Sequence, residues 1–272
     1  MWGRRSVLRK LVAVGGMSAL AACLEESKDP TVPNGDPSER PARQHAWNDR
    51  LRRDDDGNFL PPRHHVYLSL SYVGDDIGVD RQRIESTLTD LEYAFEASHE
   101  GLLFTVGYSA SYFDHYGQSV PVDPPGPIVP GENVSLDEAD AFVHLASDEA
   151  VAVLEAEEAL VGQRETANGV SVTDSSGVWD IERRRTGFFG FGAPAERRHL
   201  NGIPETTEKP NPVPDNAPFF MGFRSGFRRN QAPEDRVTIS EGRFTGGTTE
   251  HVAGIKLNLS TWYDLDSEMR GR

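Results

Sequence analysis

The chain has 272 residues, enough for one large domain or two small ones. Its formal net charge of −15 argues against a nucleic-acid binder, because phosphate contacts need a basic face. The single cysteine, Cys23, excludes an intrachain disulfide and any cysteine-built metal site.

Residues 1–23 read as an export signal. Arg4 and Arg5 precede Ser6 and the apolar pair Val7-Leu8, and a short apolar run follows from Leu11 to Ala22. That run is shorter than the roughly 20 residues that cross a bilayer. A twin arginine ahead of a weak apolar core is the pattern of Tat export. Leu20-Ala21-Ala22-Cys23 resembles a lipobox, in which Cys23 takes the lipid. The expected place is the outer face of the cytoplasmic membrane, held by that anchor. Residues 24–61 are rich in Pro, Asp, Glu, Ser and Arg and poor in apolar positions. Such a segment cannot bury enough surface to fold alone, so a disordered tether is expected.

Residues 62–196 carry the clearest pattern. "HVYLSLSY" alternates strictly, with Val66, Leu68, Leu70 and Tyr72 on one face, which predicts a half-buried strand. Ile84, Leu88, Leu91 and Phe95 follow at helical spacing, with Asp80 as the expected N-cap. "GLLFTVGYS" predicts a strand entered through a turn at Gly101, "SYFDHYG" a loop, and the Pro-rich stretch after it another loop. "ADAFVHLAS" predicts a strand. "SDEAVAVLEAEEALVG" predicts a helix capped by Ser147 and ended by Gly162. "GVSVTDSSGVWDIERRRTGFFGF" supplies hairpin or strand material. The fold class is therefore α+β, in the βαββαβ order of a ferredoxin-like half. Such a half covers one sheet face with helices and leaves the other free to form a site.

Residues 197–272 form a second block. The alternation in "HVAGIKLNLSTW" predicts a long strand through Val252, Ile255, Leu257 and Leu259, the opening of an incomplete second ferredoxin-like half. A lone strand would leave an unpaired edge, so the chain reads as cut short at its C-terminus.

No HExxH, CxxC or phosphate-loop pattern is present. His64 and His65 are neighbours on a strand, so they face opposite ways and do not chelate one ion together. His144 alternates with apolar residues and reads as a satisfied sheet histidine. His251 reads as a polar strand end.

"GLLFTVGYSASYFD", then "ADAFVHLASDEAVAVLEAEEAL", then "NGIPETTEKPNP" resemble, in that order, the dye-decolorising (DyP-type) haem peroxidases. The later "FMGFRSGFRRN" and "HVAGIKLNLSTWYDLD" are similar to the opening of that family's second half. The resemblance covers roughly residues 60–270 and looks nearest to the exported, acidic members from haloarchaea. It implies two ferredoxin-like halves, haem b as cofactor, peroxide as co-substrate and oxidation of an organic substrate. It places Asn201 where the family has its distal aspartate and Gly202 at a motif glycine; His199, two residues before Asn201, is a candidate for the same site, and Arg224, Arg228 and Arg229 are candidates to contact haem propionates or else form a surface basic patch. Asn201 departs from the family, because an amide neither accepts nor returns a proton at ordinary pH. The family's proximal histidine has no counterpart, so no metal ligand is assigned. The alternative is a non-catalytic haem- or iron-handling or partner-binding module that uses the sheet face.

Overall fold

The computed structural model describes residues 31–120, 139–201, 203, 213–222, 232–252 and 254–270. The chain divides into two compact units, Met1–Val32 and Pro33–Arg272.

Strand β1 (His64–Tyr72) buries Val66, Leu68 and Leu70, as its alternation requires. Helix α1 (Ile77–Ala94) follows. Its N-cap is Asp76 rather than the expected Asp80. The Asp76 carboxylate accepts from Gly78 N at 3.0 Å and Val79 N at 3.2 Å. Asp80 lies inside the first turn and is buried, where it accepts from the Tyr72 hydroxyl at 2.9 Å and from Arg83 Nη1 at 3.1 Å. Those two donors draw it inward and leave the cap to Asp76. Gly101 precedes β2 (Leu103–Tyr108), and a Cβ there would stand 2.1 Å from the Glu96 carbonyl oxygen, so the turn needs glycine.

The expected loop at "SYFDHYG" contains a short helix, α2 (Ala110–Asp114), because Tyr112 buries itself against Tyr108 and Trp179. Strand β3 (Ala141–Ser147) leads into α3 (Ala150–Leu160). Ser147 stays in the strand and Glu149 occupies the cap position. The Ser147 hydroxyl still accepts from Glu149 N at 3.0 Å and donates to the Gly101 carbonyl at 2.6 Å. After α3 a hairpin pairs Thr166–Ala167 with Val170–Ser171, and β4 (Trp179–Phe188) completes the sheet.

The strands lie in the order β2-β3-β1-β4, every pair antiparallel. With α1 and α3 between strands, this is the ferredoxin-like arrangement. The core lies under the helices: Leu68, Leu70, Val143 and Leu145 from the sheet, Ile84 and Leu91 from α1, Val153 and Leu160 from α3.

Two expectations change. Residues 33–61, expected as tether, pack on the domain. Gly35 N donates to Tyr93 O at 3.0 Å and Glu96 N to Pro33 O at 2.8 Å. The Arg40 guanidinium pairs with Glu92 and covers the Phe104 ring at 4.8 Å. The segment has no core of its own and borrows the surface of α1. The long strand expected from His251 is also not formed. Val252, Ile255 and Leu257 are exposed, and a helix at Leu259–Asp264 begins where the Asn258 side chain accepts from Thr261 N at 3.2 Å. The segment pairs with no strand among the described residues. Leu259 and Tyr263 instead close a small second core with Ala195, Ile203, Val213 and Ala217.

Candidate functional site

In a strand, alternate residues face opposite sides of the sheet. The residues of β1 that do not enter the core are His65, Tyr67 and Ser69, and those of β3 are Phe142 and His144. The register sets Tyr67 opposite His144 and Ser69 opposite Phe142. On the other flank Tyr67 lies opposite Arg185 and Ser69 opposite Arg183. The face away from the helices therefore carries a row of aromatic and imidazole rings beside two arginines.

The rings are ordered. Tyr67 and His144 stack with centroids 4.1 Å apart and planes within 9°. His65 stacks on His144 at 5.2 Å and on Tyr67 at 6.4 Å, and Phe142 tilts against Tyr67 at 5.7 Å. Side chains stand roughly perpendicular to a sheet. A row of upright rings presents ring edges outward, and the edge is the electropositive part of an aromatic ring. Arg185 is exposed and makes no ion pair among the described residues. The outward side therefore favours negative charge and flat π surfaces.

Hydrogen bonds fix the imidazole tautomers. His65 Nε2 lies 2.7 Å from the Pro62 carbonyl, and His65 Nδ1 lies 2.9 Å from His144 Nε2. A carbonyl only accepts. His65 therefore carries its proton on Nε2, and His144 donates Nε2–H to His65 Nδ1. Burial lowers the pKa of both rings; His144 falls to about 4, with His65 adding to the effect. Burial raises the Tyr67 phenol, and the Glu250 charge raises it further. Glu250 approaches from the C-terminal block: a Cβ on Gly107 would lie 3.5 Å from its carboxylate, and burial raises its pKa.

A second polar cluster stands at the far end of β1. The buried Asp140 accepts from Tyr72 N at 2.7 Å, Ser111 Oγ at 2.7 Å and His115 Nε2 at 3.2 Å. The residue types are those of a nucleophilic triad, but the connections are not. The serine donates to the carboxylate rather than to the imidazole, so no base stands ready to take its proton. Asp140 is a structural hub.

The residues assigned from the resemblance are not gathered into a site by the described part of the chain. Asn201 ends a short 3-10 turn, Arg198–Asn201, and its side chain lies outside the described residues. His199 is exposed on the same turn and has no bond to the sheet-face rings. Gly202, Arg224, Arg228, Arg229, Cys23, Arg4 and Arg5 lie outside the described residues. Among the described residues no group of three His, Cys, Asp or Glu side chains could hold a metal ion. Haem iron needs an imidazole nitrogen with a free lone pair over an enclosed space. His65 has both nitrogens engaged, His144 has Nε2 engaged and its free Nδ1 belongs to the ring stacked on Tyr67, and His199 and His251 are exposed. None of these four histidines fits an axially ligated haem.

Sequence reasoning found the open face but missed the His65–His144 pair, which depends on the β1–β3 register. Its one sequence trace is that "HVYL" and "FVHL" each set rings two residues apart on the non-core positions.

A family model matches residues 62–271. The chain belongs to the family of unknown function DUF7405. No curated protein sequence matches it. Solved structures of DyP-type peroxidases superpose in part. A Shewanella oneidensis protein of that class superposes with a TM-score of 0.45 at 18% identity, covering 78% of this chain and 60% of its own. A Streptomyces coelicolor DyP-type peroxidase gives 0.36 at 15% identity, covering 48% and 38%. A Rhodococcus jostii DypB variant in complex with heme gives 0.37 at 18%, covering 53% and 44%. The DUF7405 chain thus spans less than two thirds of the length of each, and no residue role follows from the likeness.

Proposed function

We propose that this DUF7405 protein is an exported, lipid-anchored binding protein whose sheet face away from α1 and α3 takes a planar aromatic anion. The observation that carries the reading is the ring row of His65, Tyr67, His144 and Phe142 beside Arg185, which makes no ion pair among the described residues. The ring edges suit the face of a flat ligand in edge-to-face contact, and Arg185 suits its carboxylate or sulfonate. On a chain of net charge −15, a guanidinium without an ion-pair partner among the described residues favours an anion locally against the charge of the whole. Export rests on Arg4 and Arg5, and anchoring on Cys23 after its apolar run.

Fluorescence titration of the full chain with pyrene-1-sulfonate tests the reading. Saturable binding that weakens about tenfold in Arg185→Ala and in Tyr67→Ala is expected, each change removing roughly one favourable contact. Binding that ignores both substitutions refutes it.

The second reading, a haem-dependent peroxidase, rests on the order of the quoted motifs around Asn201. It requires a Soret band on haem addition and peroxide-dependent oxidation of a dye. With an amide where a proton must be exchanged, turnover is slow and Asn201→Asp raises it.

A further inference from the structure

We propose that His144 is the proton-accepting residue of the sheet face, so that binding a planar aromatic anion there is coupled to uptake of one proton. The inference rests on the binding reading above and names how that site is regulated.

The tautomers decide where a proton can go. A proton on His65 Nδ1 would set two N–H groups against each other across the 2.9 Å contact. A proton on His144 Nδ1 leaves both hydrogen bonds intact, since His144 Nε2 already donates and His65 Nε2 already binds the Pro62 carbonyl. The resulting cation would lie flat on the Tyr67 ring, 4.1 Å between centroids, in a cation–π arrangement. His144 Nδ1 is thus the one open nitrogen of the pair, and a proton that enters there leaves the row intact while its charge is shared with His65 along the 2.9 Å bond.

Among the described residues the charged surroundings are few. β1 contributes His65 and Tyr67, and β4 contributes Arg183 and Arg185. β2 places Leu103, Thr105 and Gly107 on this side, none of which titrates. Glu250 comes from the C-terminal block, and Asp148 acts on His65. Burial and His65 keep His144 neutral near pH 7 in the free protein. An anion over the face stabilises the imidazolium, and by reciprocity the imidazolium stabilises the anion. Affinity must therefore rise as the pH falls.

Pyrene-1-sulfonate separates this from titration of the ligand, because the probe keeps its charge throughout. Its affinity for the full chain is measured at about pH 7 and about pH 4.5, with circular dichroism confirming the fold at each. A tightening of roughly threefold or more at the lower pH is expected, one pKa unit of linkage being tenfold at full effect. His144→Gln, which keeps an N–H donor but takes no proton, loses the tightening; Glu250→Gln keeps it. If His144→Gln does not fold, His144→Asn serves with the same expectation. Equal affinities at both pH values overturn the proposal. So does a tightening that survives His144→Gln, or one abolished by Glu250→Gln alone. Absence of binding at either pH strikes the sheet-face reading itself, which tells the two failures apart.

Discussion

His65 Nδ1 stands 2.9 Å from His144 Nε2 across the β1–β3 ladder, and the Pro62 carbonyl behind His65 makes His144 the donor. The pair is neutral and directional, and it is stacked with Tyr67. This one relationship sets the chemistry of the sheet face and most of its pH response.

The first prediction concerns stability against pH. His144 is held at about 4 in the folded chain, against an ordinary value of 6.5. Between those values the unfolded chain binds more protons, so folding stability falls as the pH drops. The contribution is present above about pH 6.5 and lost toward about pH 4, on the order of 1–3 kcal/mol for a partly solvated ring. Urea midpoints at about pH 7 and about pH 5 read it out. His144→Gln should show the smaller loss; identical losses in both proteins would contradict the assignment.

Asp140 offers a second. Its carboxylate serves three donors, Tyr72 N, Ser111 Oγ and His115 Nε2. Asp140→Ala leaves the half-buried Tyr72 N and Ser111 Oγ without their acceptor and should cost about 2 kcal/mol in urea unfolding. A cost below about 1 kcal/mol would mean that water replaces the carboxylate easily.

A paired comparison of glycines follows from the backbone. Gly162 has φ +68, and a Cβ there would meet Ser176 N at 2.2 Å. Gly169 has φ +79 with nothing within 4 Å. Both substitutions to alanine strain the backbone by about 1 kcal/mol, and Gly162→Ala adds a backbone clash. Thermal melts should rank Gly162→Ala well below Gly169→Ala. Equal melting points would show that the Ser176 loop moves aside at little cost.

Leu259→Ala addresses the second core. Leu259 and Tyr263 pack with Ala195, Ile203, Val213 and Ala217, apart from the residues under α1 and α3. The change should cost about 2–4 kcal/mol locally. Hydrogen exchange should quicken in 193–199 and 259–264 and leave β1 and β3 protected. Quickening throughout the sheet would mean that the two cores unfold as one.

The first half was legible because its signals are local. Alternation in β1 and β3 and helical spacing in α1 and α3 each carry their own period, and their order leaves one common topology. The cap of α1 was misplaced because two aspartates stand four residues apart, and only the fold shows that Tyr72 and Arg83 claim Asp80. The second block misled for the opposite reason. "HVAGIKLNLS" has a strand's pattern, but a strand also needs a neighbour, and Asn258 caps a helix instead. The ring row was hidden because His65 and His144 are 79 residues apart in the chain.

The central claim is that the sheet face holds a flat aromatic anion by ring edges and charge, not by an iron ligand. Parallel titration with haem and with metal-free protoporphyrin tests it most directly. The account predicts affinities within about threefold of each other, both weakened by Arg185→Ala, since the metal contributes no contact. Tight haem binding with a sharp Soret band, no uptake of the metal-free ring and no effect of Arg185→Ala would contradict it.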